Sequence, residues 1–206
     1  MNKVVRTPWL AALLPAALMT TTNVHAQTDA GNVAREDLHY VGLLGTAFNY
    51  RSIGTETDET AWGNGATLVV GGHHTDLFHA ELRAGGGITD ADVPNSNLTL
   101  AVDYFASWYI GMHYPIADYG NLYGQFGFSY IEGESELRQP DAAQNRQFEL
   151  IENEFPGSSF SVSWLIGLDL ELVDNTYLVF EGGRLFEDTE TEVNAFQFSS
   201  GLRYEF

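Results

Sequence analysis

The chain has 206 residues, with 28 acidic side chains against nine basic ones and no cysteine. A formal net charge of −19 repels nucleic-acid phosphates and excludes that partner, and the lack of cysteine excludes disulfide staples, thiol nucleophiles and cysteine metal sites. Nothing in the composition divides this length into more than one domain.

The first segment is read as an export signal, not as part of the fold. Lys3 and Arg6 form a basic start, residues 8–19 are an apolar stretch, and Val24 and Ala26 are the small residues before a cut between Ala26 and Gln27. That pattern predicts a cleaved signal peptide over residues 1–26. The apolar stretch is shorter than the roughly 20 residues a spanning helix needs. Beyond it the basic groups are seven arginines and no lysine, a net of −21, which rules out a mechanism resting on lysine. Residues 27–38 are polar and without period, a flexible lead.

From residue 39 to 206 the pattern is period two, and eight strands are predicted over residues 40–51, 61–71, 78–88, 98–114, 122–131, 159–172, 176–186 and 194–206. In the sixth, Phe160, Val162, Trp164, Ile166, Leu168 and Leu170 alternate with Ser161, Ser163, Leu165, Gly167 and Asp169. The fourth alternates unbroken from Leu98 to Tyr114, longer than a typical strand of a soluble sheet. Connections alternate between short turns (residues 71–76, 115–121, 173–175) and long acidic loops (52–60, 89–97, 133–158, 187–193), which describes an up-and-down meander.

Alternation alone also fits a soluble sandwich or a lipocalin-like cup. Three features turn the apolar face outward, to lipid. The other face is rich in Gly, Ser and Ala and mixes charges of both signs, which suits a crowded interior. Aromatic residues collect at both strand ends: Tyr40, Phe78, Tyr114, Tyr177, Tyr204 and Phe206 at the short-turn end, and Phe48, Tyr50, Trp62, Tyr130 and Phe160 at the long-loop end, a pair of interfacial girdles. An export signal followed by eight strands also permits a closed ring without unpaired edges, as a bilayer requires. The predicted fold is an all-β, eight-stranded antiparallel up-and-down transmembrane β-barrel over residues 39–206.

The ending "SGLRYEF", with Phe198, Leu202, Tyr204 and Phe206 on one face, resembles the C-terminal signature of Gram-negative outer-membrane β-barrel proteins. "YGQFGFSY" and "YVGLLGTAFNY" are similar in style to the small eight-stranded class of OmpX, Ail and the OmpA transmembrane domain. The resemblance implies an outer-membrane location with both termini periplasmic. It also implies a monomer surrounded by lipid and lipopolysaccharide, with those four C-terminal residues read by the barrel-assembly machinery.

Eight strands enclose a space that side chains fill, and Phe105, Tyr109, Tyr123 and Arg203 are expected to plug it. Parity places Glu81, Arg83, Asp103, Asp169, Glu171, Arg203 and Glu205 inside, together with Arg51. They read as an interior ion-pair network, since a buried charge left alone costs several kcal/mol; a proton or ion path is the alternative. The same parity turns His39, His79 and His113 inward near the short turns, with His73 and His74 close by. Converging imidazoles suit a transition metal or a pH response. No metal-spacing motif is present, however, and no cofactor is expected.

Members of the small-barrel class include lipid A-modifying enzymes. An active site on outer-leaflet lipid belongs at the long loops, opposite these histidines, so no catalytic residue is expected. The acidic loops carry the functional expectation: Glu56, Asp58 and Glu59; Asp90 and Asp92; Glu134, Glu136, Asp141, Glu149, Glu152 and Glu154 against Arg138 and Arg146; and Glu187, Asp188, Glu190 and Glu192. They suit basic partners, or divalent cations bridging to lipopolysaccharide. The expected role is structural or interaction-based. A narrow transport or ion-conducting barrel and a lipid-modifying enzyme stand as alternatives.

Overall fold

The computed structural model describes residues 35–53, 59–138, 148, 151, 155–157 and 159–206. The predicted signal peptide, most of the predicted lead, and the loop residues Glu56, Asp58, Asp141, Arg146, Glu149, Glu152 and Glu154 lie outside the described residues.

Nine strands form one antiparallel sheet: β1 (His39–Ile53), β2 (Glu59–His73), β3 (Phe78–Thr89), β4 (Ala91–Asp92), β5 (Leu98–Ala117), β6 (Gly120–Leu137), β7 (Phe160–Val173), β8 (Thr176–Glu187) and β9 (Asn194–Glu205). Eight of them close a ring, because β1 pairs with both β2 and β9 while β3 pairs with β5. The two-residue β4 lies outside this ring, on the long-loop end of β5. Closure runs to the chain's last residue, since the Phe206 amide donates to the His39 carbonyl at 2.8 Å and the His39 amide to the Phe206 carbonyl at 2.9 Å. A closed ring leaves no row of unpaired donors and acceptors, the condition for crossing a bilayer with strands.

The eight predicted strands are all present, several longer than predicted. β5 and β6 pair from Ala117↔Gly120 up to Leu98↔Leu137, whereas β7 accompanies β6 only as far as Tyr130. Beyond Tyr130 the β5–β6 hairpin therefore continues past the ring for seven residues of β6, about 20 Å at the rise of a strand. Glu134 and Glu136 are exposed residues of this ribbon, not of a loop. At the opposite end the connections are tight. The β7–β8 turn uses Asp174 and Asn175, and Asn175 takes φ 60°, a left-handed conformation that asparagine tolerates better than most residues.

The outer wall is apolar. Leu43, Leu82, Phe126 and Ile166 are 65, 59, 58 and 56% exposed, and such side chains continue around the ring, far more apolar surface than a soluble monomer shows to water. Phe78, Tyr114, Tyr204 and Phe206 stand outward at the short-turn end, and Trp62, Tyr130 and Phe160 at the long-loop end. Four residues expected in those girdles are instead buried: Tyr40, Phe48, Tyr50 and Tyr177. On β1 the even positions are the inward ones, and on β8 the odd ones. Both strands carry apolar residues on both faces, so composition gave no contrast from which to read their parity.

β5 also departs from simple alternation. A bulge between Val102 and Tyr104 inserts one residue and reverses the facing of everything before it. Leu98, Leu100 and Val102 point inward, while Trp108, Ile110 and Met112 point out.

Candidate functional site

The lumen is layered along the barrel axis. At the short-turn mouth, Arg203 on β9 pairs with Asp169 of β7 and with Glu205 at 3.1 Å. Asn121 donates to the other Asp169 oxygen at 2.7 Å. Arg35, from the segment before β1, reaches Glu205 at 3.0 Å and lies 4.6 Å over the Tyr177 ring. The backbone amide of Arg35 donates to Asp76 Oδ1 in the β2–β3 turn. Arg35–Leu38 thus packs across the mouth, where a flexible lead was expected.

One layer deeper, Arg83 on β3 is held between Glu81 and Glu181. Its second nitrogen donates to Glu181 Oε2 at 2.8 Å and to Gln125 Oε1 at 3.3 Å. Tyr40 donates to Glu81 at 3.0 Å and Tyr123 to Glu181 at 2.9 Å. The Tyr123 ring lies against Gly167, where a Cβ would come within 2.2 Å of it; glycine is required there for the ring to reach Glu181. A cavity of about 10 Å³ lies among these groups, lined by Gly42, Leu44, Val69, Arg83, Tyr123 and Arg203, room for about one water.

Above follows a belt of hydroxyls. Thr46 bonds Thr67 at 2.7 Å and Ser199 at 3.0 Å, and Ser129 bonds Ser107 at 2.7 Å and Ser163 at 2.9 Å. Each oxygen finds its partner inside the ring, so the belt needs no water to be satisfied.

The long-loop end is apolar. Phe48 and Phe105 meet edge to face at 5.9 Å within a cluster that includes Tyr50, Ile53, Leu98, Leu100, Ile131 and Phe186. Three residues of the β6–β7 connection, Phe148, Ile151 and Phe155, are buried in the same cluster. The Tyr50 and Phe155 rings meet at 6.3 Å, and Ser135 donates to the Ile151 carbonyl at 2.7 Å.

Of the residues singled out from the sequence, the structure brings together Glu81, Arg83, Asp169, Arg203 and Glu205. It does not bring in Asp103, Glu171 or Arg51. Asp103 lies at the β5 bulge and is exposed, Glu171 is half-buried at the rim and accepts from the Asn175 amide, and Arg51 is exposed over the Phe196 ring. His39 is also displaced. It faces outward beside Phe206, with ring centroids 6.4 Å apart, whereas His79 and His113 are buried and are joined by His73. Phe198, Leu202, Tyr204 and Phe206 all stand on the outer face of the closing strand.

Sequence reasoning missed Arg35, Tyr40, Gln125 and Glu181 as members of the network. Glu181 was readable only once β8's odd positions were known to face inward. His73 carried a clearer signal, because Ala61, Gly63, Gly65, Thr67, Val69 and His73 all share the odd parity of β2.

A closed antiparallel ring with an apolar outer band, aromatic ends and a polar interior defines a membrane-spanning β-barrel. The chain belongs to the family described as Outer membrane protein beta-barrel domain, which it matches over residues 12–206, and its place is the outer membrane. Three solved structures share the fold. Ail of Yersinia pestis, in complex with the heparin analogue sucrose octasulfate, aligns with TM-score 0.51 and 11% identity over 83% of this chain and 99% of that one. Neisserial surface protein A aligns with TM-score 0.51 and 16% identity over 83% and 100%. OprG from Pseudomonas aeruginosa aligns with TM-score 0.50 and 12% identity over 84% and 97%. At these identities the likeness is one of fold alone. Among curated proteins none matches the chain.

Proposed function

We propose that this protein is a plugged, non-conducting and non-enzymatic outer-membrane anchor that presents acidic surface to the outside of the cell. The observation that carries the reading is the filling of the lumen from both ends. Ion pairs and tyrosines occupy the short-turn half, and an apolar cluster that includes residues of the β6–β7 connection occupies the other. In this reading both termini lie in the periplasm, the barrel is a monomer in lipid and lipopolysaccharide, and the assembly machinery reads Phe198, Leu202, Tyr204 and Phe206.

The outward part is then the β5–β6 ribbon with the long loops, which together hold most of the chain's acidic residues. A polyanion such as the one bound by Ail would be repelled by them. Basic protein surfaces would be attracted, and divalent cations would bridge the carboxylates to lipopolysaccharide phosphates. Planar-bilayer recording of the purified barrel tests the plug. The expected record shows no steady current at moderate voltage; reproducible single-channel steps would favour an ion-conducting barrel.

A further inference from the structure

We propose that His73, His79 and His113 form a binding site for one divalent transition metal ion, of the zinc, cobalt or nickel kind, just inside the short-turn mouth of the barrel. The three imidazoles come from β2, β3 and β5, strands adjacent in the ring. Their ring centroids are 4.8, 5.7 and 5.9 Å apart. One nitrogen from each lies within 4.8 Å of the other two, and all three residues are buried.

The distances suit ligation. Two nitrogens bound tetrahedrally at about 2.0–2.1 Å from an ion are about 3.3 Å from each other, and Nδ1 of His79 and Nδ1 of His113 are 3.5 Å apart. That pair already has the spacing of two ligands. His73 completes the set by a side-chain rotation. A fourth position is left for water, the arrangement of an open three-ligand site.

A second observation is independent of those distances. His73 Nε2 meets Glu205 Oε1 at 3.2 Å, while its Nδ1 is buried without a hydrogen-bond partner. The carboxylate holds the proton on Nε2 and leaves the Nδ1 lone pair free, the way a metal-bound histidine is oriented by its neighbour. Gln125 packs beside His79, its Nε2 2.7 Å from the ring Nε2 and donating to Glu81 Oε2 at 3.2 Å. Bare Gly111 makes room for both side chains, since a Cβ at that position would fall 2.5 Å from His79 Nε2 and 2.6 Å from Gln125 Cγ.

Charge and donor type narrow the ligand. Four buried carboxylates, Glu81, Asp169, Glu181 and Glu205, face three buried guanidinium groups, Arg35, Arg83 and Arg203, so the lumen carries an excess negative charge that favours a cation. Nitrogen donors without sulfur select zinc, cobalt, nickel or copper over calcium and magnesium, which prefer oxygen.

The test uses the untagged barrel extracted from outer membranes into detergent and stripped of metal by a chelator. Titration with Co²⁺ is expected to raise visible ligand-field bands that saturate at one equivalent and disappear when Zn²⁺ is added. His79→Gln and His113→Gln should abolish the bands. Glu205→Gln, which leaves the three ligands in place, should weaken Co²⁺ binding by about 10–100-fold. The double variant His39→Ala/His74→Ala, altered only at exposed histidines, should bind as the parent does. Compact migration on an unheated gel shows that each variant is folded. A folded barrel that takes up no Co²⁺ or Zn²⁺ overturns the proposal, as does uptake that survives His113→Gln and is lost in the double variant.

Discussion

Arg83 shows what a single residue contributes inside the lumen. Its guanidinium pairs with Glu81 and Glu181, donates to Gln125, and lies 5.3 Å over the Tyr109 ring, all of these groups being buried. Taking it away leaves two carboxylates facing each other without a cation, and removing one partner of a buried pair costs about 3–5 kcal/mol. Arg83→Met is therefore expected to lose about that much stability, read as a lower urea midpoint for the compact gel form in detergent micelles. Adding Glu181→Gln should restore part of the loss, because it removes one of the stranded charges. A loss below about 1 kcal/mol would mean that Arg83 is not desolvated as its contacts imply.

Strand β5 shows how far an element could be read from its pattern. Its alternation runs unbroken through the bulge at Asp103, because leucine and valine continue the rhythm on the wrong side of it. One extra residue exchanges the two faces without leaving a trace in hydropathy. Leu100 is therefore enclosed in the apolar cluster, while Leu82 on the neighbouring β3 stands on the outer wall. The chain has no native cysteine, so single thiols report these positions cleanly. In the folded barrel, Leu82→Cys should react with a maleimide that partitions into the micelle, and Leu100→Cys should stay unlabelled until the barrel is unfolded. Equal labelling of the two would return Leu100 to the lipid face that simple alternation assigns it. The strands legible in the sequence were those with a polar face opposite an apolar one, such as β7, where Ser161, Ser163 and Asp169 oppose Val162, Trp164 and Ile166. β1 and β8 bury tyrosine, phenylalanine and leucine inside as well as showing apolar residues outside, so their facing followed only from pairing. The histidine cluster was half legible for the same reason. His79 and His113 lie on strands with clear contrast, whereas placing His39 required the parity of β1.

The whole molecule has two unlike ends. Three tight turns and both ends of the barrel domain lie on one side, with Arg35 packed across the mouth and Phe206 hydrogen-bonded to β1. On the other side stand the β5–β6 ribbon and the long connections, where the acidic residues concentrate. A chain exported to the periplasm has to carry four connections across the bilayer if the ribbon side is to face outward. It would have to carry only the short turns and both termini if the barrel sat the other way. Polar segments of any length cross together with their flanking strands, so crossing alone does not choose between the two. The C-terminal strand does, if the assembly machinery engages Phe198, Leu202, Tyr204 and Phe206 from the periplasm and holds that end there. With this orientation, a protease added to intact cells should cut within residues 139–158 and leave the β2–β3 turn at residues 74–77 untouched until the outer membrane is permeabilised. The apolar anchoring of Phe148, Ile151 and Phe155 should restrict early cuts to the polar residues between them. Cleavage at residues 74–77 in intact cells, with residues 139–158 protected, would invert the barrel and put the acidic surface in the periplasm.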